Sequence, residues 1–114
     1  MYYYKVEILR VVDGDTVDVR MDLGFNVWHK CRVRLVGINA PESRTRDKEE
    51  KARGLAAKAF LKNVLEMTQS EIHLQSHGTG KYGRVLGEFI INDININELM
   101  VEEGHAEVYD GGVR

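Results

Sequence analysis

Apolar and polar positions alternate along the first third of the chain. Tyr3 to Val12 mixes aromatic, β-branched and polar residues and predicts a strand. Asp13-Gly14 follows, a dipeptide that takes positive φ readily and predicts a tight hairpin turn. Thr16, Val17, Val19 and Met21 then alternate with Asp18, Arg20 and Asp22, the period-two signature of a half-buried strand. Leu23 to Asn26, with Gly24 inside it, predicts the next turn. Val27 to Val36 returns as a third strand, in which Cys31, Val33 and Leu35 alternate with Lys30, Arg32 and Arg34. Three consecutive strands on short turns make a meander.

Beyond Pro41 the pattern changes. A polar loop, Ser43 to Lys48, precedes a helix predicted from about Glu49 to Glu66. Ala52, Ala56, Ala59, Phe60 and Val64 are expected on its inner face. Asp47 is placed to cap its start, and Glu49 and Glu50 suit the positive end of its dipole. Gly54 inside a helix costs about 1 kcal/mol relative to Ala, which predicts a close packing contact there. Ile72 and Leu74 mark a short fourth strand, Gly78-Thr79-Gly80 a loop, and Val85 to Ile91 a fifth strand that turns at Asn92-Asp93. Asn95 to Glu103 reads as a second helix, with Asn95 and Glu98 spaced as a capping box and Gly104 suited to the left-handed position past its end. Ala106 to Tyr109 is a last extended piece. Three strands, a helix, two strands and a helix predict an α+β fold: a five-stranded Greek-key barrel of the oligonucleotide-binding type with two helices, one domain over residues 1–114.

Composition adds little to that picture, and charge somewhat more. No stretch approaches the roughly 18 apolar residues of a membrane span, and Met1 to Lys5 has no apolar run. An intracellular site, or a virus-encoded protein acting in its host cell, is therefore favoured over secretion. A net charge of −2 argues against binding nucleic acid by bulk attraction. Its distribution is uneven, however: ten Lys or Arg against four Asp or Glu from Lys30 to Lys62, and seven acids with no Lys or Arg from Val85 to Val113. That asymmetry permits a basic binding side backed by an acidic one. The lone Cys31 is expected to be a buried or half-buried thiol, and His73 and His77 lie in a strand-to-loop setting that does not put them on one helix face.

Three clusters carry candidate chemistry: Asp13-Gly14-Asp15-Thr16 at the first hairpin, Arg34 to Glu42 at the end of the third strand, and Lys81-Tyr82-Gly83-Arg84 entering the fifth. Pro41, the only proline, stops the strand and gives Glu42 a defined direction. Asp15 and Glu42 are hard oxygen donors able to hold a divalent cation such as Ca²⁺. Arg34 and Arg84 are planar, permanently charged forks that match phosphate oxygens. Attack of water on a phosphodiester needs such a set, because charge builds on a pentacoordinate phosphorus and the water must be oriented.

These clusters, with Asn97-Glu98 before the second helix, closely resemble the ordered motifs of the staphylococcal (micrococcal) nuclease family, the thermonucleases. The resemblance runs from the first strand to the glycine ending the second helix. It implies a Ca²⁺-dependent nuclease that hydrolyses phosphodiester bonds of DNA and RNA with little sequence preference, leaving 3′-phosphate ends. It implies Asp15 as the direct carboxylate ligand of one Ca²⁺, with Asn39 and the Ala40 carbonyl as further ligands. Glu42 would touch the ion through water and act as general base. Arg34 would hold the scissile phosphate, Arg84 the charge developing on phosphorus, and Lys81 and Tyr82 a neighbouring phosphate. Asp13 would support the metal loop from behind. The expected partner is DNA or RNA, single-stranded or frayed.

Four departures from the family pattern stand out. Asn39 replaces a second metal-binding aspartate. Asp110 stands where the family has a base-packing tyrosine, with Tyr109 one residue earlier. The hairpin between Asp15 and Arg34 is longer, and no third helix follows within the 114 residues. A face left open by that helix would suit a homodimer contact. The alternative to an enzyme is a non-catalytic nucleic-acid- or protein-binding module of the same fold. Asp15, Arg34, Glu42 and Arg84 favour the enzyme; Asn39 and the short tail favour the module.

Overall fold

The structure, a computed structural model, describes residues 2–80 and 83–109. Its frame is a meander of β1 (Tyr2–Asp13), β2 (Thr16–Asp22) and β3 (Trp28–Leu35), followed after the helix by β5 (Ile72–Thr79) and β6 (Val85–Ile91). The strands follow the order β3-β2-β1-β5-β6, and a parallel pairing of β6 with β3 closes the circuit into a barrel. Two-residue strands β4 (Ile38–Asn39) and β8 (Glu107–Val108) pair with each other outside it, and β7 (Ile94–Asn95) turns back to pair antiparallel with the end of β6. The predicted five-stranded barrel with two helices is thus the observed architecture.

Period two explains the interior. Val17, Val19, Val33 and Leu35 are wholly buried, facing Leu74 and Phe89 from the opposite wall. Burying each such side chain contributes about 1.5–3 kcal/mol of transfer free energy. Helix α1 (Lys48–Met67) and α2 (Ile96–Glu102) plug the barrel with Ala57, Leu61 and Leu65, and with Ile96 and Met100.

The caps form as expected. Asp47 accepts from the backbone N–H of Glu49 (3.0 Å) and Glu50 (3.2 Å), and Asn95 from that of Glu98 (3.1 Å). At the far end of α2, the N–H groups of Gly104 and His105 donate to Val101 and Met100 carbonyls, a Schellman closure.

Three expectations need correction. The buried stripe of α1 is Gly54, Ala57, Leu61 and Leu65. Ala52, Ala56 and Ala59 face solvent, with Phe60 and Val64 only flanking the core. Alanine favours a helix on either face, so its spacing carried no directional signal. Gly14 does not adopt positive φ. It is glycine because a Cβ there would lie 2.8 Å from the Cβ of Ala57 and 2.9 Å from that of Ala40. Finally, Gly78 and Thr79 belong to β5, where a register shift between Ser76 and Gly78 absorbs the extra residue.

The predicted contact at Gly54 is present and severe. A Cβ there would sit 2.2 Å from the backbone oxygen of Glu42 and 2.6 Å from the nitrogen of Ser43. The helix therefore rests directly on the backbone that carries Glu42.

Cys31 is half-buried on β3, and burial, reinforced by the nearby Asp18 carboxylate, pushes its thiol pKa up. Asp18 itself is held below the usual carboxylate range by its hydrogen bond to Arg32.

Two outcomes are expected. Gly54→Ala should lower stability by roughly 1–3 kcal/mol in urea unfolding despite the better helix propensity, because the obstacle is backbone. Unchanged stability would mean that the approach is not tight. Iodoacetamide should alkylate Cys31 at pH 7 roughly tenfold or more slowly than a free cysteine, accelerating as pH rises and thiolate forms; the measurement is mass spectrometry over time.

Candidate active site

Four stretches far apart in sequence converge at one rim of the barrel. The β1–β2 turn brings Asp13 and Asp15, the end of β3 brings Arg34, the segment after β4 brings Asn39, Ala40 and Glu42, and the entry to β6 brings Arg84. All seven line a single cleft of about 560 Å³. Lys81, Tyr82 and Asp110, also singled out from the sequence, lie outside the described residues.

Asp15 is the centre of the arrangement. Its Oδ2 accepts from the Ala40 backbone N–H at 3.0 Å, and its Oδ1 accepts from the Thr16 hydroxyl at 3.0 Å. Its backbone carbonyl accepts from the N–H of Leu35 at 2.8 Å. Main chain and side chain thus tie the first hairpin to the end of β3 and to the residue after β4.

Arg34 lies against it, with Nη2 3.6 Å from Asp15 Oδ2 and 3.4 Å from Asn39 Oδ1, while Nη1 donates to the Leu35 carbonyl at 2.6 Å. Both partners of this ion pair are largely shielded, at 15% and 13% side-chain exposure. The pair is therefore less screened than a surface salt bridge.

Asp13 latches the loop beyond Pro41: its Oδ1 accepts from the Ser43 hydroxyl and from the Ser43 N–H. With Gly54 also packed against this backbone, Glu42 is carried on a main chain held by two separate contacts while its own side chain is exposed. Asn97 performs a related task from below. It is 2% exposed; its Nδ2 donates to the carbonyls of Val36 (2.9 Å) and Gly87 (3.1 Å), and its Oδ1 accepts from the N–H of Phe89 (3.2 Å). It fastens α2 to β6 and to the turn that launches β4.

The oxygens available to a cation are the Asp15 carboxylate, the Asn39 amide, the Ala40 carbonyl and the Glu42 carboxylate. They are uniformly hard donors, and the Asp15 oxygens keep lone pairs beyond the hydrogen bonds they accept. Among the described residues no three His, Cys, Asp or Glu lie close enough to hold a metal ion by themselves, so a cation here would lean on amide and backbone oxygens. That set fits a Ca²⁺-type ion and not a soft transition metal.

The cleft also contains residues that sequence reasoning did not single out. Glu50 and Arg53 enter from the first turns of α1, and His105 and Glu107 from the chain after α2. His105 stacks on Phe60 with ring centroids 4.7 Å apart. Helical spacing next to Gly54 was the available signal for Arg53; nothing local marked His105. Tyr109 is half-buried, donates its backbone N–H to Gly37 at 2.8 Å, and is not among the cleft residues.

Comparison with known proteins agrees with this fold. A family model described as "Staphylococcal nuclease homologue" matches residues 32–113. "Protein ParB" of Escherichia coli is 35% identical over 112 residues, covering 90% of this chain and 56% of the relative. "Micrococcal nuclease" of Shigella flexneri is 32% identical, covering 93% of this chain and 59% of its own. For "Thermonuclease" of Staphylococcus intermedius the figures are 30%, 87% and 56%. The chain thus spans about half the length of the curated relatives it matches. With the barrel, the cleft and this match taken together, the chain belongs to the staphylococcal nuclease homologue family.

Proposed function

We propose that this domain hydrolyses phosphodiester bonds of DNA or RNA in a Ca²⁺-dependent reaction with little sequence preference, leaving 3′-phosphate ends. The observation that carries this reading is the convergence of Asp15, Arg34, Glu42 and Arg84 on one cleft. The names of the relatives add to it.

In this reading Arg34, braced by the Leu35 carbonyl and by Asp15, binds the scissile phosphate. Arg84 meets the charge that develops on phosphorus. Fixed cationic donors of this kind lower a barrier most, because they are in place before charge appears. Glu42 accepts a proton from the attacking water, from a backbone that Gly54 and Asp13 hold still. The O5′ of the next nucleotide leaves as the P–O bond breaks and takes a proton from solvent water to become a 5′-hydroxyl. A Ca²⁺ ion held by Asp15, Asn39, the Ala40 carbonyl and, through water, Glu42 would supply charge neutralisation at the phosphate. Asp13 acts one step removed, by anchoring Ser43. Lys81 and Tyr82 are assigned a neighbouring phosphate.

A non-catalytic binding module is the second reading, and one observation favours it. The place of a second carboxylate is taken by Asn39, whose oxygen lies 3.4 Å from an Arg34 nitrogen. Self-association into a homodimer belongs to the same reading, and sedimentation is its test.

Digestion of single-stranded DNA separates these readings. Cutting should require Ca²⁺ and stop with chelator. Glu42→Gln and Arg84→Ala should each lower kcat by about 10²–10³-fold without unfolding the domain. Equal rates with and without chelator, or full activity in Glu42→Gln, would remove the assignment. Asn39→Asp should tighten Ca²⁺ binding by at least about tenfold in titration calorimetry, since affinity follows ligand charge. Because the new carboxylate would also pair with Arg34, part of the gain is offset; no gain at all would mean that Asn39 is not a ligand.

A further inference from the structure

The hairpin between β2 and β3 ends in a turn that the proposed reaction does not use. Leu23, Phe25 and Val27 are 45%, 100% and 52% exposed there. The turn is well built. The Leu23 N–H donates to the Val27 carbonyl and the Val27 N–H to the Gly24 carbonyl, each at 2.9 Å, while the Gly24 N–H donates to Asp22 Oδ1 at 2.8 Å. Phe25 and Asn26 hold φ of 55° and 63°, the left-handed region that a bulky side chain such as Phe rarely occupies. Conformational cost and apolar hydration cost therefore fall on one residue, held wholly in water.

The register connects this tip to the cleft. Thr16↔Arg34, Asp18↔Arg32, Arg20↔Lys30 and Asp22↔Trp28 are directly opposed, so these side chains share the outer face. The outward row of β3 thus reads Arg34, Arg32, Lys30, Trp28: three cations leading from the cleft to an indole. Arg20 covers that indole, its guanidinium carbon 4.3 Å from the ring centroid. Asp18 and Glu7 partly neutralise Arg32 and Arg20, at 2.8 Å each, while Lys30 is exposed beside them. The six steps of strand from Arg34 to Trp28 span about 20 Å, farther than a dinucleotide seated in the cleft reaches.

We propose that the β2–β3 hairpin is a second nucleic-acid contact. A strand whose scissile phosphate lies in the cleft runs along Arg32 and Lys30, and Phe25 stacks on a base at its far end. Cations that follow a backbone, with an exposed aromatic as stacking platform, are the chemistry that single strands recognise without reading sequence. This rests on the nuclease reading of the cleft and adds a length requirement to it: the hairpin acts only on strands long enough to reach it.

The test uses binding in chelator, where nothing is cut, and Trp28, the only tryptophan, as reporter. A 20-nucleotide oligothymidylate is expected to alter Trp28 emission, and a phosphorylated thymidine dinucleotide to leave it unaltered. Phe25→Asn, which suits the left-handed turn, should weaken the 20-mer at least about fivefold and so lower the ratio of the two affinities. Lys30→Glu should weaken it further and reduce the salt dependence of log K by about one unit. Wild-type affinity for the 20-mer in both variants would overturn the proposal and leave the tip to a protein or lipid surface. If the wild type cuts DNA but the hairpin variants bind and cut like it, this inference alone fails. If it neither binds nor cuts either length, the reading of the cleft fails with it.

Discussion

The candidate site depends on a meeting of main chains with almost nothing between them. Helix α1 lies on the Glu42–Ser43 backbone at Gly54, and the β1–β2 turn lies on Ala40 and Ala57 at Gly14. A side chain at Gly54 would push the Glu42 backbone away by about an ångström, and one at Gly14 would push the Ala40 and Ala57 methyls away by about half that, changes that a close-packed interior resists. Functional groups on such a backbone inherit its position. Asp15 is then tied by its own oxygens to Thr16 and Ala40, and Arg34 is tied to Asp15, so a carboxylate and a guanidinium occupy one rim without either moving freely. Preorganisation of this kind makes a charged site effective, since no reorganisation remains to be done when charge develops.

Asn97 shows the same logic in the barrel floor. A buried amide is costly unless its donors and acceptor are matched, and here three bonds satisfy it. The match joins α2, β6 and the β3–β4 turn, so Asn39 and Ala40 start from a fixed point. The Schellman closure at Gly104 then directs the chain back towards β4, where β8 pairs with it and brings His105 and Glu107 to the cleft.

Much of this was legible in the sequence because the physics is local. Period-two alternation fixed β2 and β3 to within a residue, and Asp47 and Asn95 announced the helix starts through the hydrogen bonds they accept. Gly54 was readable as a packing contact, since a helix tolerates glycine poorly without cause. Gly14 was not, because a turn glycine looks the same whether it is needed for φ or for space. The face of α1 was misread since alanine suits both sides of a helix; Leu61 and Leu65 were the informative positions. Ordered motifs located Asp15, Arg34, Glu42 and Arg84. Arg53 and His105 enter the cleft only through tertiary packing, and the two-residue β4–β8 ladder is too short to leave a pattern.

The barrel is closed by three residue pairs, Val33↔Val85, Arg34↔Leu86 and Leu35↔Gly87. Arg34 sits in that seam and Arg84 at its edge, some fifty residues apart along the chain. Contacts of such long sequence separation form late, since the loop entropy must be met before they contribute. A chain emerging from the ribosome would hold its first hairpins and α1 well before the two guanidiniums met. The two guanidiniums are therefore brought to one rim only by a long-range closure of the wall, which no single hairpin can supply.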